Sequence, residues 1–186
     1  LGQELGPERV REMAVRLGFG RALNLADTLS TTAGQLPEAE TLTSSGAFAN
    51  FCFGQGELLA TPIQIAAMMN TIAAGGIWRE PLFLECTLDE TTGEPLTALA
   101  HRGARRVFSA QTARALRELL ASVVTEGTGH EAAPTEGTAA GKTGTAQTGQ
   151  FAAGKELKNY WFAGFYPARN PRYTIVVLQD GQTGPA

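Results

Sequence analysis

Residues 61–76 constrain the fold more than any other segment, because a helix built from them has almost no polar face. Ile63, Ile65, Ala66, Ala67, Met68, Met69, Ile72 and Ala73 are spread around the helical circumference, and such a helix is stable only when other elements surround it. Its start is well marked. Thr61 can cap, Pro62 sacrifices no hydrogen bond at the first helical position, and Gln64 completes a capping box. Gly75-Gly76 ends it. The expected architecture is therefore layered, with this helix in the middle. A methionine-rich surface groove around Met68 and Met69 is the weaker alternative.

The chain has 186 residues, 43% of them hydrophobic, enough for one domain or a large piece of one. Its net charge of -3 gives no basic footprint, so nucleic acid is excluded as a partner. No apolar run reaches the roughly 18 residues that a membrane span needs. Residues 1–10 carry acids and a proline, not a signal peptide, and read as if cut from a longer helix-bearing chain. Cys52, between Phe51 and Phe53, and Cys86, in the apolar stretch 82–88, both read as buried thiols. A bond between them stays open. Their spacing suits neither a disulfide framework nor a zinc motif. His101 and His130 have no spaced ligand partners and read as surface residues.

Before the central helix, Pro7 opens a helix with Val10, Met13, Ala14 and Leu17 on one apolar face and Gly18 at its end. Residues 21–49 turn small and polar and are expected to be long irregular connections. Residues 81–88 and 104–108 read as short strands around a turn at Thr92-Gly93. Ser109 caps a further helix that turns Ala113, Leu116, Leu120 and Val123 to the core and ends near Gly127. The last third switches to strand patterns at 142–147, 160–167 and 173–179. Short links between them predict an antiparallel meander. The continuous apolar run Ile175-Val176-Val177-Leu178 predicts burial on both sides, hence helices on both faces of the sheet. Trp161, Phe162, Phe165, Ile175 and Val177 are assigned to the core.

The chemistry is concentrated in Ala140-Gly141-Lys142-Thr143-Gly144-Thr145-Ala146-Gln147. A phosphate-binding loop would need glycine five residues before Gly141, where Glu136 stands instead, and a carboxylate there repels phosphate. No hydrophobic strand precedes the segment either. The phosphate reading fails on spacing, charge and context. As the Lys-Thr-Gly motif of serine-active penicillin-binding enzymes, the segment gains support from its neighbours. Gly54-Gln55-Gly56-Glu57, Thr61-Pro62-Ile63-Gln64, Asn70, Gly75-Gly76, Val124-Thr125-Glu126-Gly127-Thr128-Gly129 and Trp161-Phe162-Ala163-Gly164-Phe165 occur in one order. In that order and spacing, from Leu1 to Asp180, the chain resembles the transpeptidase domain of penicillin-binding proteins, most closely the high-molecular-weight class B type.

The resemblance implies an α+β fold of the serine β-lactamase/transpeptidase type, its antiparallel sheet covered by helices on both faces, and here incomplete at both ends. Residues 1–186 would be the C-terminal portion of that domain. Lys142 would direct positive charge at the substrate's carboxylate and at the proton-transfer groups. The hydroxyls of Thr143 and Thr145 suit the same carboxylate, Gly144 admits the substrate backbone, and Gln147 is an outer contact. The backbone N–H of Thr145 would form half of an oxyanion hole. Gln55, between Gly54 and Gly56, reads first as part of a tight turn and second as a buttress of the site. No cofactor and no metal are implied.

The family's Ser-x-x-Lys and Ser-x-Asn motifs are expected upstream. Ser30, Ser44, Ser45, Ser109 and Ser122 have neither lysine three residues on nor asparagine two residues on. The implied function is part of a peptidoglycan D,D-transpeptidase that acts through a serine acyl-enzyme and binds β-lactams, inactive as this chain alone. Its partners would be the D-Ala-D-Ala end of stem peptides, β-lactam antibiotics and the N-terminal part of the same domain. Its place would be the extracytoplasmic face of a bacterial membrane, anchored through a segment outside this chain, in cell division or shape. The alternatives are a non-catalytic β-lactam-sensing or interaction module and a D,D-carboxypeptidase or β-lactamase relative.

Overall fold

The computed structural model describes residues 2–26, 28–84, 86–98 and 103–182. Two helices, α1 (Gly2–Leu5) and α2 (Pro7–Arg16), lead into a small hairpin of β1 (Asn24–Ala26) and β2 (Leu29–Ser30). Helices α3 (Ser45–Cys52) and α4 (Pro62–Ala73) come next, then the short strands β3 (Ile77–Trp78), β4 (Cys86–Leu88), β5 (Pro95–Ala98) and β6 (Arg105–Arg106). Helix α5 (Ala110–Thr125) precedes three long strands, β7 (Ala140–Ala152), β8 (Lys155–Tyr166) and β9 (Tyr173–Gln182).

Helix α4 is central, as its sequence requires. Gln64, Ala67, Met69, Thr71 and Ile72 are buried, and both halves of the capping box form: Thr61 N–H donates to Gln64 Oε1 at 2.8 Å, and Gln64 N–H donates to Thr61 Oγ1 at 3.3 Å. The Gln64 side chain is fully buried and its amide donates to the carbonyls of Gly18, Arg21 and Ala33. One capping residue therefore also fastens the preceding loop, because a buried amide left unbonded would cost about 1–3 kcal/mol.

Strands β7, β8 and β9 form the expected antiparallel meander in that order. Helices α4 and α5 pack on one face, where Met69, Ile72, Ala140, Ala163, Phe165 and Ala168 make the main core, with Leu116, Leu120 and Val176 against it. The mixed helix and antiparallel-sheet fold class stands. Within the described residues, however, helices cover only this face. Ile175 and Val177 are each 52% exposed, so their assignment to the core is corrected. The period of a strand is two, and Val176 and Leu178 take the covered side, which sends their neighbours to the open one. Phe165 is core, whereas Trp161 and Phe162 are half-buried.

A second core gathers Leu23, Leu25, Trp78 and Val107. Trp78 donates its indole N–H to Leu17 O at 2.9 Å, while the guanidiniums of Arg21 and Arg105 lie 4.7 and 3.8 Å from its ring centroid. Burial, and then the neighbouring Arg21, hold Arg105 below its ordinary value. A third cluster, Leu42, Phe48 and Phe51, receives Val10 and Ala14 of α2.

Other expectations need correction. Residues 21–49 are not merely irregular. They hold β1, β2 and most of α3, whose Ser44 cap accepts from Ala47 N–H at 3.1 Å. A helix this short shows too few turns for its period to be read, and only Phe48 and Phe51 are buried in it. Cys52 is an exposed free thiol and Cys86 a half-buried one, because α3 turns Phe48 and Phe51 inward and Cys52 outward. The turn at Thr92-Gly93 joins β4 to β5, while β6 pairs with β3 instead. Met13 is 36% exposed, at the margin of the apolar face of α2. Val124 is the buried valine of α5 and Val123 is half-buried. His130 is exposed, its Nε2 3.0 Å from Glu131, and His101 lies outside the described residues.

Candidate active-site edge

Strand β7 is bonded to β8 on one side, and among the described residues no strand pairs with its other side. In an antiparallel ladder the N–H and C=O of one residue point to the same side, and successive residues alternate. Over 140–147, where the register with β8 is unbroken, every second residue of β7 therefore bonds to β8. The carbonyls of Thr143 and Thr145 face outward instead: Thr143 O accepts from Lys142 Nζ, and Thr145 O from Gln55 Nε2, each at 2.9 Å. The N–H of Thr145 therefore faces the same open edge.

Side chains alternate by face as well. Thr143 and Thr145 stand on the open face beside Phe162, Tyr160, Ile175 and Val177, where they begin a groove of about 1430 Å³. Lys142 stands on the other face of the strand, and its ammonium reaches the edge by bonding Thr143 O and, at 3.4 Å, Thr143 Oγ1. It makes no ion pair with any described residue, so its charge is not neutralised there. Thr143 Oγ1 also lies 3.0 Å from Thr128 Oγ1, in the loop after α5. Gln147 is farther along, and its amide donates to Glu156 across the hairpin at 2.8 Å.

The glycines of β7 differ in what holds them there. A Cβ on Gly141 would meet Phe162 Cζ at 2.5 Å, and Gly149 has a φ of +68°. Gly144 has neither constraint: its Cβ would meet only Trp161 Cβ, at an ordinary 3.5 Å. Nothing within the described chain requires glycine at that position. A close approach from outside the chain would.

Lys142, Thr143, Gly144 and Thr145 are thus brought together on one edge, and Gln147 is drawn into the hairpin. Thr128 joins them without having been singled out from the sequence. Its Gly-Thr-Gly setting was the available signal, but a loop threonine acquires meaning only from the strand it meets. Gln55, between two glycines of positive φ, donates its side-chain amide to the same strand.

The family model for the penicillin-binding protein transpeptidase domain matches residues 1–185. Penicillin-binding protein PbpB of Mycolicibacterium smegmatis is 37% identical over 190 residues, which span 97% of this chain and 28% of that relative. Peptidoglycan D,D-transpeptidase FtsI of Escherichia coli K12 is 33% identical over 91% of this chain and 27% of its own length. Among solved structures, penicillin-binding protein 3 of Mycobacterium tuberculosis in complex with aztreonam superposes with a TM-score of 0.82 at 33% identity, covering 96% of this chain and 41% of that one. The chain accordingly spans less than a third of the length of each of these two curated relatives.

Proposed function

The chain belongs to the penicillin-binding protein transpeptidase family, and from that premise we propose that it forms the Lys-Thr-Gly wall of the acyl-transfer site of a class B peptidoglycan D,D-transpeptidase. The observation that carries the reading is the open edge of β7. There an ammonium without a carboxylate partner among the described residues, two hydroxyls and an outward N–H stand within residues 142–145.

Such an edge suits an acyl donor that ends in a carboxylate. The terminal carboxylate of a D-Ala-D-Ala stem peptide would take the charge of Lys142 and the hydroxyls of Thr143 and Thr145. Its backbone would lie against Gly144, which the chain's own packing leaves free of a side chain. The scissile carbonyl oxygen would then meet the N–H of Thr145, which stabilises the negative charge that develops on attack. A serine hydroxyl attacks that carbonyl and passes its proton to the nearby proton-transfer groups. The C–N bond breaks, D-alanine leaves as the amine, and an amine of a neighbouring stem takes the acyl group. A β-lactam would acylate the same serine by ring opening. Gln147 would act as an outer contact by exchanging its bond to Glu156.

None of the serines here has a lysine three residues on. In this proposal the nucleophile comes from sequence outside these 186 residues, which form the C-terminal part of one domain acting outside the cytoplasmic membrane.

Labelling with a fluorescent penicillin tests the reading. The full-length protein is expected to carry the label through a denaturing gel, and the purified chain is not. Stable labelling of the chain alone would reveal another nucleophile, and an unlabelled full-length protein would overturn the acyl-transfer role.

A further inference from the structure

We infer that Gln55 is a positioning residue for the oxyanion side of this edge, a deepening that rests on the acyl-transfer reading. Thr145 lies on an edge strand, where no neighbouring strand among the described residues holds its outward N–H and C=O. Gln55 Nε2 donates to Thr145 O at 2.9 Å across 90 residues of sequence, and so supplies at this rung the hydrogen bond that a further strand would have made. Fixing the carbonyl fixes the rotation of the strand about its own axis at Thr145. The N–H on the same side of that residue is thereby aimed. A carbonyl oxygen has two lone pairs, so the clamp takes up only one of them.

The local structure presents this one side chain. Gly54 and Gly56 both have a φ of +79°, a region that side-chain-bearing residues rarely adopt. A Cβ on Gly54 would meet nothing within 4 Å, and one on Gly56 would meet only Asn50 Cβ at 3.5 Å, so it is conformation and not space that calls for glycine. Between them, Gln55 N–H is tied to Asn50 O at 2.8 Å, at the end of α3. Within residues 53–57, Gln55 alone is not exposed. Two glycines bend the chain outward on either side of a residue whose amide is turned in to the strand. The amide orientation follows from chemistry, because its own oxygen would repel the carbonyl.

The same bond could serve merely to staple α3 to β7. The two roles part in which quantity a substitution changes. In the full-length protein, acylation by a fluorescent penicillin is to be resolved into a non-covalent dissociation constant and a first-order acylation step, beside a melting temperature. Gln55→Met keeps the shape and removes the donor. It is expected to slow the first-order step about tenfold, the worth of one such hydrogen bond, with the dissociation constant changed by less than about twofold. Gln55→Glu puts an acceptor against the carbonyl and is expected to slow it further. Gln55→Asn keeps the amide but not the reach, and serves in the same way should Gln55→Met fail to fold. Variants that melt earlier yet acylate at the wild-type rate would make the bond a staple only and overturn the inference. A wild-type protein that does not acylate would overturn the acyl-transfer reading itself, and this inference with it.

Discussion

At the start of β7, Ala140 pairs with Phe165, and both are buried against Met69 and Ile72 of α4. A few rungs on, the same two strands pair Gly144 with Trp161 and Thr145 with Tyr160, and there the outward carbonyls of β7 accept from side chains, Lys142 and Gln55, and not from another strand among the described residues. One strand thus passes from a packed core to a bare edge. The buried end makes the frame rigid, since an interior at crystal-like density resists displacement. The bare end leaves the Lys142 charge without an ion-pair partner among the described residues, and in the proposed role that charge acts on a ligand. In the proposed role, stability and chemistry are separated along a single strand, and the ladder to β8 carries the rigidity from one end to the other.

That separation can be broken most forcefully at Phe165, which is 1% exposed. In the full-length protein Phe165→Ala is expected to cost about 3–5 kcal/mol of unfolding free energy, by lost burial and the cavity left behind. Denaturant unfolding measures it, and a cost below about 1 kcal/mol would mean that the buried end does not anchor the strand. Lys142→Ala comes next. It leaves no buried cavity and is expected to leave stability nearly unchanged, while acylation slows by about 2–4 kcal/mol of barrier, roughly a hundredfold or more. Normal acylation with lowered stability would place Lys142 with the frame instead of the chemistry. The smallest effect belongs to Thr145→Val, which removes a hydroxyl and keeps the backbone N–H. A fewfold loss in acylation is expected, and a loss equal to that of Lys142→Ala would shift the main contribution from the charge to the hydroxyl.

Much of this arrangement was legible from short stretches of sequence. The Thr61–Gln64 capping box formed as its residues required, and the apolar circumference of α4 ended in the centre of the fold. The strand patterns around Lys142, Trp161 and Val176 ordered themselves as a meander. The errors share a cause. The pattern assigns Ile175 and Val177 to the core because apolar residues read alike whether a face is covered or open, and only the arrangement of α4 and α5 decides which face is covered. The partner of β6 is not legible from the turn at Thr92-Gly93, which closes β4 on β5 and leaves β6 to pair with the more distant β3.

By itself the sequence determined the properties that depend on near neighbours along the chain. These are the helix starts at Ser109 and Thr61, and the Lys142-Thr143-Gly144-Thr145 run with its charge and hydroxyls. Tertiary structure alone decided what that run meets. It brought Gln55 to Thr145 O and Thr128 to the Thr143 hydroxyl, and turned the unbonded side of β7 outward. The physical reason is range. Periodicity and capping act over a turn or two of chain, whereas a contact between residues 90 positions apart exists only when the packing of every intervening element has brought their strands and loops together.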